Sequence, residues 1–524
     1  MGVNPWASAG PSGHTCRGPG RSSEAGIRSV CVITGYRADE VREAVGARAE
    51  LIHNQAWAPR AWAGLLVATP IAIWTLTTDA MPLTARTVLL VFALAIVAWT
   101  IWRLPETPVA IGAALVLTAL GLIKDDQLFA SLGDDLIWLL IGAFMISAAL
   151  TSSGVAQRLA LHAIRGAAST AALMYRLTAV IFTTALIVPS TSGRAALLLP
   201  LYAALAAVIC DARVVCALAL LFPTVILLSA CASLLGAGAH LIAVDLMMRM
   251  GLPGLGYVQW AWLGLPFALA SSFAAAFVIV RLFLRGDEHC GRLALPAPPA
   301  QPMNTEQRNA ACIVATVVVL WMLAPLHGVG VALIALAGAL AATWAPLTGL
   351  SMKKAIRLVE WDLILFLAAT MVLGDALVAS GAARLVADGL LRLLPGWAFA
   401  HGWIVVLAAA LVGLLSHLVI TSRSARAVIL IPTVAVPLAV GELNPAALIF
   451  LTVVASGFCQ TFAVSAKPVA LFSAQDEPAY SDADLLRLSL ALLPVMLTLL
   501  LVFALLIWPL QGLPLTVPAQ TLAQ

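Results

Sequence analysis

Charge is what this sequence has least of. Only 10% of its 524 residues are Asp, Glu, Lys or Arg, while 62% are hydrophobic. A soluble chain of this length would need far more charge to cover its surface. The cysteines (16, 31, 210, 216, 231, 290, 312 and 459) form no CxxC pair, and no HExxH is present. Asparagine occurs only at 4, 54, 304, 309 and 444. Residues 1–58 are Gly-, Ser- and Arg-rich and contain no apolar core of a secretory signal. The net charge of +4 is too small to imply a nucleic-acid partner. Together these features exclude a soluble enzyme, a nucleic-acid binder and a secreted disulfide scaffold. No metal site and no cofactor is expected.

Apolar runs are what fill the chain, at a mean hydropathy of +1.01. Their length, about 17–25 residues, suits membrane helices. It excludes an outer-membrane barrel, whose strands alternate over about 10 residues. Spans are expected near 61–78, 85–102, 107–123, 135–152, 172–209, 214–250, 258–284, 309–325, 328–347, 361–379, 402–440, 445–473 and 487–510. Four carry an internal break. These lie at Pro189–Arg194, Gly236–His240, Thr421–Arg426 and Ser465–Pro468. Irregular backbone at membrane depth is tolerated only where protein or a water-filled cavity surrounds it. Breaks at corresponding places in two halves point to a transporter site.

The halves do correspond. Ser190-Thr191-Ser192-Gly193-Arg194-Ala195, with Pro200, matches Ser422-Arg423-Ser424-Ala425-Arg426-Ala427, with Pro432, at a constant offset of 232. Upstream, Asp135-Leu136-Ile137 and Ser153-Gly154 match Asp362-Leu363-Ile364 and Ser380-Gly381 at an offset of 227. Two ordered matches define an internal repeat. Basic residues in short loops mark the cytoplasmic side. These are Arg158, Arg165 and Arg176, then Arg281, Arg285, Arg292 and Arg308, then Lys353, Lys354 and Arg357. One span separates the last cluster from the second broken segment. Segment 172–209 therefore enters from inside and 402–440 from outside, although Arg384 and Arg392 fall on the wrong side.

The fold class expected is an all-α polytopic membrane protein: an inverted repeat with two re-entrant hairpins and broken helices. Residues 1–58 read as a tail, or as a start placed too early. A first repeat spans 61–284 with hairpin 172–209, a Pro-rich cytoplasmic linker spans 285–307, and a second repeat spans 308–510 with hairpin 402–440. Residues 511–524 are a C-terminal tail. A multi-pass protein of a bacterial inner membrane is expected, with the lipid bilayer as its surroundings.

Serine hydroxyls and helix starts at the breaks suit an anion, because a helix N-terminus carries about +0.5 charge and free N–H groups. Candidate substrate ligands are Ser190, Thr191, Ser192 and Arg194 in the first hairpin, and Ser422, Arg423, Ser424 and Arg426 in the second. Gly238, His240, Ser465 and Lys467 mark a coupling-ion region at the other two breaks. An Arg at a helix centre costs about 2.5–3.5 kcal/mol on insertion scales, so each needs water, an acidic partner or an anion. Asp245 and Asp375 are the acidic partners within reach of the spans. His417 reads as a structural histidine inside an apolar run.

The two hairpin sequences resemble the divalent anion:sodium symporter family, which carries Ser-Asn-Thr at each hairpin tip. One of its subgroups, the oxoglutarate/malate translocators, reads Pro-Ser-Asn-Thr-Ala-Arg-Ala there. Leu136–Phe144, Gly154 and Arg158 also resemble that family's helix before the first hairpin. The resemblance implies a homodimer, an elevator-like alternating-access movement, and dicarboxylates, tricarboxylates or sulfate as substrate. It implies no enzymatic activity. Thr191 and Arg423 stand where the family has its sodium-binding Asn, and His240 stands where it has Thr. A guanidinium is donor-only and repels a cation, so sodium as a cofactor is left open. Sodium-independent exchange, with Arg423 and protonated His240 standing in for ions, is the sharper expectation. Two alternatives stand beside it: an ion/proton antiporter or metalloid-oxyanion exporter, which acidic residues at the breaks would favour, and a membrane enzyme, which needs a converging catalytic pair.

Overall fold

Leu, Ala and Val dominate each span, and with no water to pair exposed backbone they fold as helices. The computed structural model describes residues 63–70, 82–165, 167, 169–209, 211–284, 302–382, 401–439, 443–473 and 479–516. The expected tail 1–58, most of the linker 285–307, residues 517–524 and Arg384 and Arg392 lie outside these. Among the described residues no strand occurs beyond one isolated bridge, Leu443 to Thr516. Seven helices there are long and apolar enough to cross a membrane.

The first half contains α1 (Leu83–Thr100), α2 (Glu106–Ala119), α3 (Asp135–Ser153), α4 (Thr170–Thr184), α5 (Thr191–Val208), α6 (Ala212–Ser229), α7 (Gly238–Arg249) and α8 (Tyr257–Phe283). The second contains α9 (Thr305–Met322), α10 (Val331–Ala342), α11 (Trp361–Ala379), α12 (Gly402–Leu415), α13 (Arg423–Leu430), α14 (Pro445–Ala455), α15 (Lys467–Ser473) and α16 (Asp482–Val502). The short helices Asp125–Ala130 and Val155–Ile164 add to the first half. The packing is exchanged between halves: α2 lies against α11, and α10 against α3. The Ser-Gly match at the ends of α3 and α11 now has a cause. Gly154 and Gly381 turn the chain in the left-handed region, at φ of 71° and 73°, which favours glycine at a helix end.

All four predicted breaks are present. α4 ends and α5 begins across residues 185–190, and α12 and α13 are separated by a 3-10 turn at Ser416–Leu418 and residues 419–422. α6 and α7 are separated by 3-10 turns at Ala230–Ala232 and Leu234–Gly236, and α14 and α15 by residues 456–466. The freed backbone is satisfied from α8. Trp260 Nε1 donates to the Cys231 carbonyl at 3.1 Å. One turn on, Gly264 lets α8 approach the same carbonyl, since a Cβ there would run into the Cys231 oxygen. Gly264→Ala is therefore expected to destabilise the protein by about 1–3 kcal/mol through overpacking. A lowered thermal unfolding midpoint checks this; an unchanged one refutes the close packing.

At a second contact between halves, Arg249 of α7 donates to Asp245 Oδ1 and Oδ2 at 2.8 and 2.7 Å. It also pairs with Asp375 of α11. The two carboxylates considered as partners for the hairpin arginines are thus held by Arg249.

Candidate functional site

The starts of α5, α7, α13 and α15 converge on one cavity of about 210 Å³. Local sequence sets each start. Ser190 caps α5, its Oγ accepting from Gly193 N at 3.2 Å. Ser422 caps α13 in the same way, accepting from Ala425 N at 3.1 Å. Hydroxyl caps of this kind fix where a helix begins. Gly238 begins α7 without a side chain, so Ser424 Oγ comes within 3.1 Å of where a Cβ would be. The aligned peptide dipoles of α5, α7 and α13 bias the cavity toward negative charge.

Of the predicted ligands, Ser190, Thr191, Ser192, Ser422, Arg423, Ser424 and Arg426 line this cavity, and so do Gly238 and Lys467. Arg423 is fixed from behind. Its Nη2 lies 3.0 Å from His240 Nε2, and Gly457 leaves room for it, since a Cβ there would stand 2.8 Å from Nη2. Arg423 Nε and Nη1 are buried and have no hydrogen-bond partner among the described residues. Arg426 donates through Nε to the Ser422 carbonyl at 3.3 Å, while its Nη1 and Nη2 are likewise buried and unpartnered. Leaving such donors unmade costs about 1–3 kcal/mol each, more for charged groups. An anion in the cavity would answer them.

Three of the predicted residues lie outside the cavity lining. Arg194 is absent from the cavity lining. It is fully buried, with donors to Thr184 Oγ1 at 3.0 Å, Ile226 O at 2.8 Å, Ile181 O at 2.9 Å and Ser229 Oγ at 2.6 Å. The physical reason is that α4 and α6 both end beside it, and their last carbonyls need donors. His240 does not line the cavity either. Its Nδ1 lies 3.0 Å from the Ser233 carbonyl, which only a donor can satisfy. Nε2 is then the lone pair that receives Arg423, so the ring is neutral and orients the guanidinium instead of supplying charge. It also stacks on Trp260, with centroids 4.8 Å apart. Ser465 is buried and its Oγ accepts from Phe462 N at 3.0 Å, capping the 3-10 turn before α15.

The matched positions Arg194 and Arg426 have different roles because the helix ends around them differ. In the second hairpin His417 takes over, with Nδ1 2.7 Å from Leu414 O and Nε2 2.6 Å from Thr461 Oγ1. That structural histidine frees Arg426 for the cavity.

The sequence reading missed three carboxylates. Glu106, Glu360 and Asp362 line the same cavity. Glu360 Oε1 accepts from Ser190 Oγ at 2.6 Å, and Glu106 shares the cavity lining with Ser422. Thr107 Oγ1 donates to the Asp362 carbonyl at 2.9 Å, which ties the starts of α2 and α11 together. Acids at a helix start read as dipole-favoured solvated ends. The only local signal was that Asp362 belongs to one of the repeat matches.

A profile described as citrate transporter matches residues 92–399 and again 318–517. No curated protein matches the chain. Among solved structures it is similar to the YdaH transporter of Alcanivorax borkumensis, at 19% identity and a TM-score of 0.50, over 77% of this chain and 90% of that one. That likeness shows a shared fold.

Proposed function

The chain belongs to the citrate transporter family, and from that premise we propose that it carries citrate-like di- and tricarboxylates across a bacterial inner membrane. It is a multi-pass membrane transporter, and nothing in its site calls for enzymatic chemistry. The substrate sits between the tips α4–α5 and α12–α13, held by Ser190, Thr191, Ser192, Ser422, Ser424, Arg423 and Arg426, with Lys467 at the rim. We read the two halves, 61–284 and 308–510, as inverted repeats whose hairpins enter the bilayer from opposite sides. They form a homodimer and work by elevator-like alternating access. The observation that carries this reading is the set of unpartnered guanidinium donors at the cavity.

An ion/proton antiporter is the second reading, and Glu106, Glu360 and Asp362 are what favour it. The unpartnered guanidinium donors support the anion reading over it, since donors call for an anion.

Arg423, oriented by His240, supplies fixed positive charge where the resemblance puts a sodium ligand. Uptake is therefore independent of sodium. Proteoliposomes loaded with citrate or with buffer, and offered labelled citrate, succinate or sulfate with and without external sodium, test the proposal. Citrate accumulation unaffected by sodium is expected. Steep dependence on more than one sodium per anion overturns the sodium claim, and no transport of any of the three anions overturns the anion reading.

A further inference from the structure

The cavity has acidic side chains of its own. Ser190 and Ser422 each use their oxygen to cap a helix and have one hydroxyl proton left to give. Ser190 gives its proton to Glu360 at 2.6 Å, and Ser422 stands with Glu106 in the lining of the same cavity. Neither glutamate belongs to a hairpin. Glu106 opens α2, and Glu360 immediately precedes α11. The charged groups facing Glu106 are Lys467, Asp362 and Arg426, and those facing Glu360 are Lys467 and Asp362. Across the whole cavity, Arg423, Arg426 and Lys467 stand against Glu106, Glu360 and Asp362. Its formal charge is balanced before any substrate arrives.

A substrate carboxylate seeking the same serine protons must compete with these side chains. We propose that Glu360 and Glu106 are internal stand-ins for the substrate's carboxylates. Each seats on its hairpin-tip serine when the site is empty and withdraws when the anion binds. Because the seats are on the hairpins and the glutamates are not, a shift of a hairpin against α2 or α11 makes or breaks the contact. Anion binding is then an exchange of one carboxylate for another, and it sets how far the hairpins stand from α2 and α11. This rests on the cavity being an anion site.

The test is equilibrium binding of labelled citrate to the purified full-length protein. Glu360→Gln and Glu106→Gln keep size and a hydrogen-bonding group but remove the competing charge. Each is expected to tighten citrate binding about ten-fold, the worth of a lost hydrogen bond to a charged group. Asp362→Asn removes the same charge from the same cavity but from no serine, so it is expected to tighten binding far less. Ser190→Ala separates a seat from a structural contact. In the Glu360→Gln background, where nothing charged contests the serine's proton, it is expected to weaken binding about ten-fold, and by more than it does in the wild type. The two glutamates are independent arms should one variant fail to fold. Wild-type binding with unchanged affinity in both Gln variants overturns the stand-in role alone. So does equal tightening by Asp362→Asn, which would make net charge the cause. Citrate binding to neither wild type nor variants overturns the anion site and the stand-ins together.

Discussion

Arg423→Ala abolishes citrate binding, lowering affinity at least about a hundred-fold, without lowering the protein's thermal stability. Two of its nitrogens, Nε and Nη1, are buried and unpartnered. A hydrogen bond to a charged group is worth about 1.5–3 kcal/mol, and 1.4 kcal/mol is a decade in affinity. Two such bonds give two to four decades. A unit charge about 4 Å from an anionic oxygen adds roughly 4 kcal/mol at an effective dielectric near 20. No carboxylate pairs with this guanidinium among the described residues, so its loss strands no opposite charge. The fold loses only the contact with His240. His240→Ala is expected to cost about ten-fold, because it frees Nη2 and lets the guanidinium turn away from the cavity. Binding isotherms beside unfolding midpoints in detergent check both. A midpoint that falls in step with binding would make Arg423 a structural residue.

Arg194→Met gives the opposite result: the protein loses its fold and its yield, not its selectivity. Arg194 donates to the carbonyls of Ile181 and Ile226 and to the hydroxyls of Thr184 and Ser229, all buried. Methionine fills much of the space and offers no donor. Each orphaned group costs about 1–3 kcal/mol, and the total rivals the stability of a whole domain, about 5–15 kcal/mol. Monodispersity on size exclusion and the unfolding midpoint are the readouts. Arg194→Lys, which keeps a charge and three donors, is expected to recover part of the loss. A folded Arg194→Met protein with wild-type stability and no citrate binding would return Arg194 to the site.

These two arginines mark the limit of what the sequence made legible. The breaks were readable because Ser, Gly and Pro act locally, as caps and as interruptions of a helix, and because the second half repeats them. The span 361–379 coincides with α11, since Lys353–Arg357 and Gly381 bound it chemically. Whether an arginine faces a cavity or two helix ends depends on its neighbours in space. For Arg194 these are 10 to 35 residues away in sequence. Glu360 reaches Ser190 across 170 residues, and no local pattern announces such a contact. His240 was found in the right place for the wrong reason: its position beside the site was legible, its tautomer was not.

The balance of three cations and three carboxylates in the cavity has an electrical consequence. A carrier that moved α2 and α11 together with the hairpin tips would shift no net formal charge of this cavity when it returned without cargo. The membrane voltage, worth about 2.3 kcal/mol per unit charge at 100 mV, therefore does no work on that step. A citrate trianion entering unaccompanied would meet the full field, about 7 kcal/mol at the same voltage. A potential negative inside opposes that loaded step alone. Currents recorded from this transporter would thus report on cargo, and a cell could hold the empty carrier in circulation without drawing on its voltage.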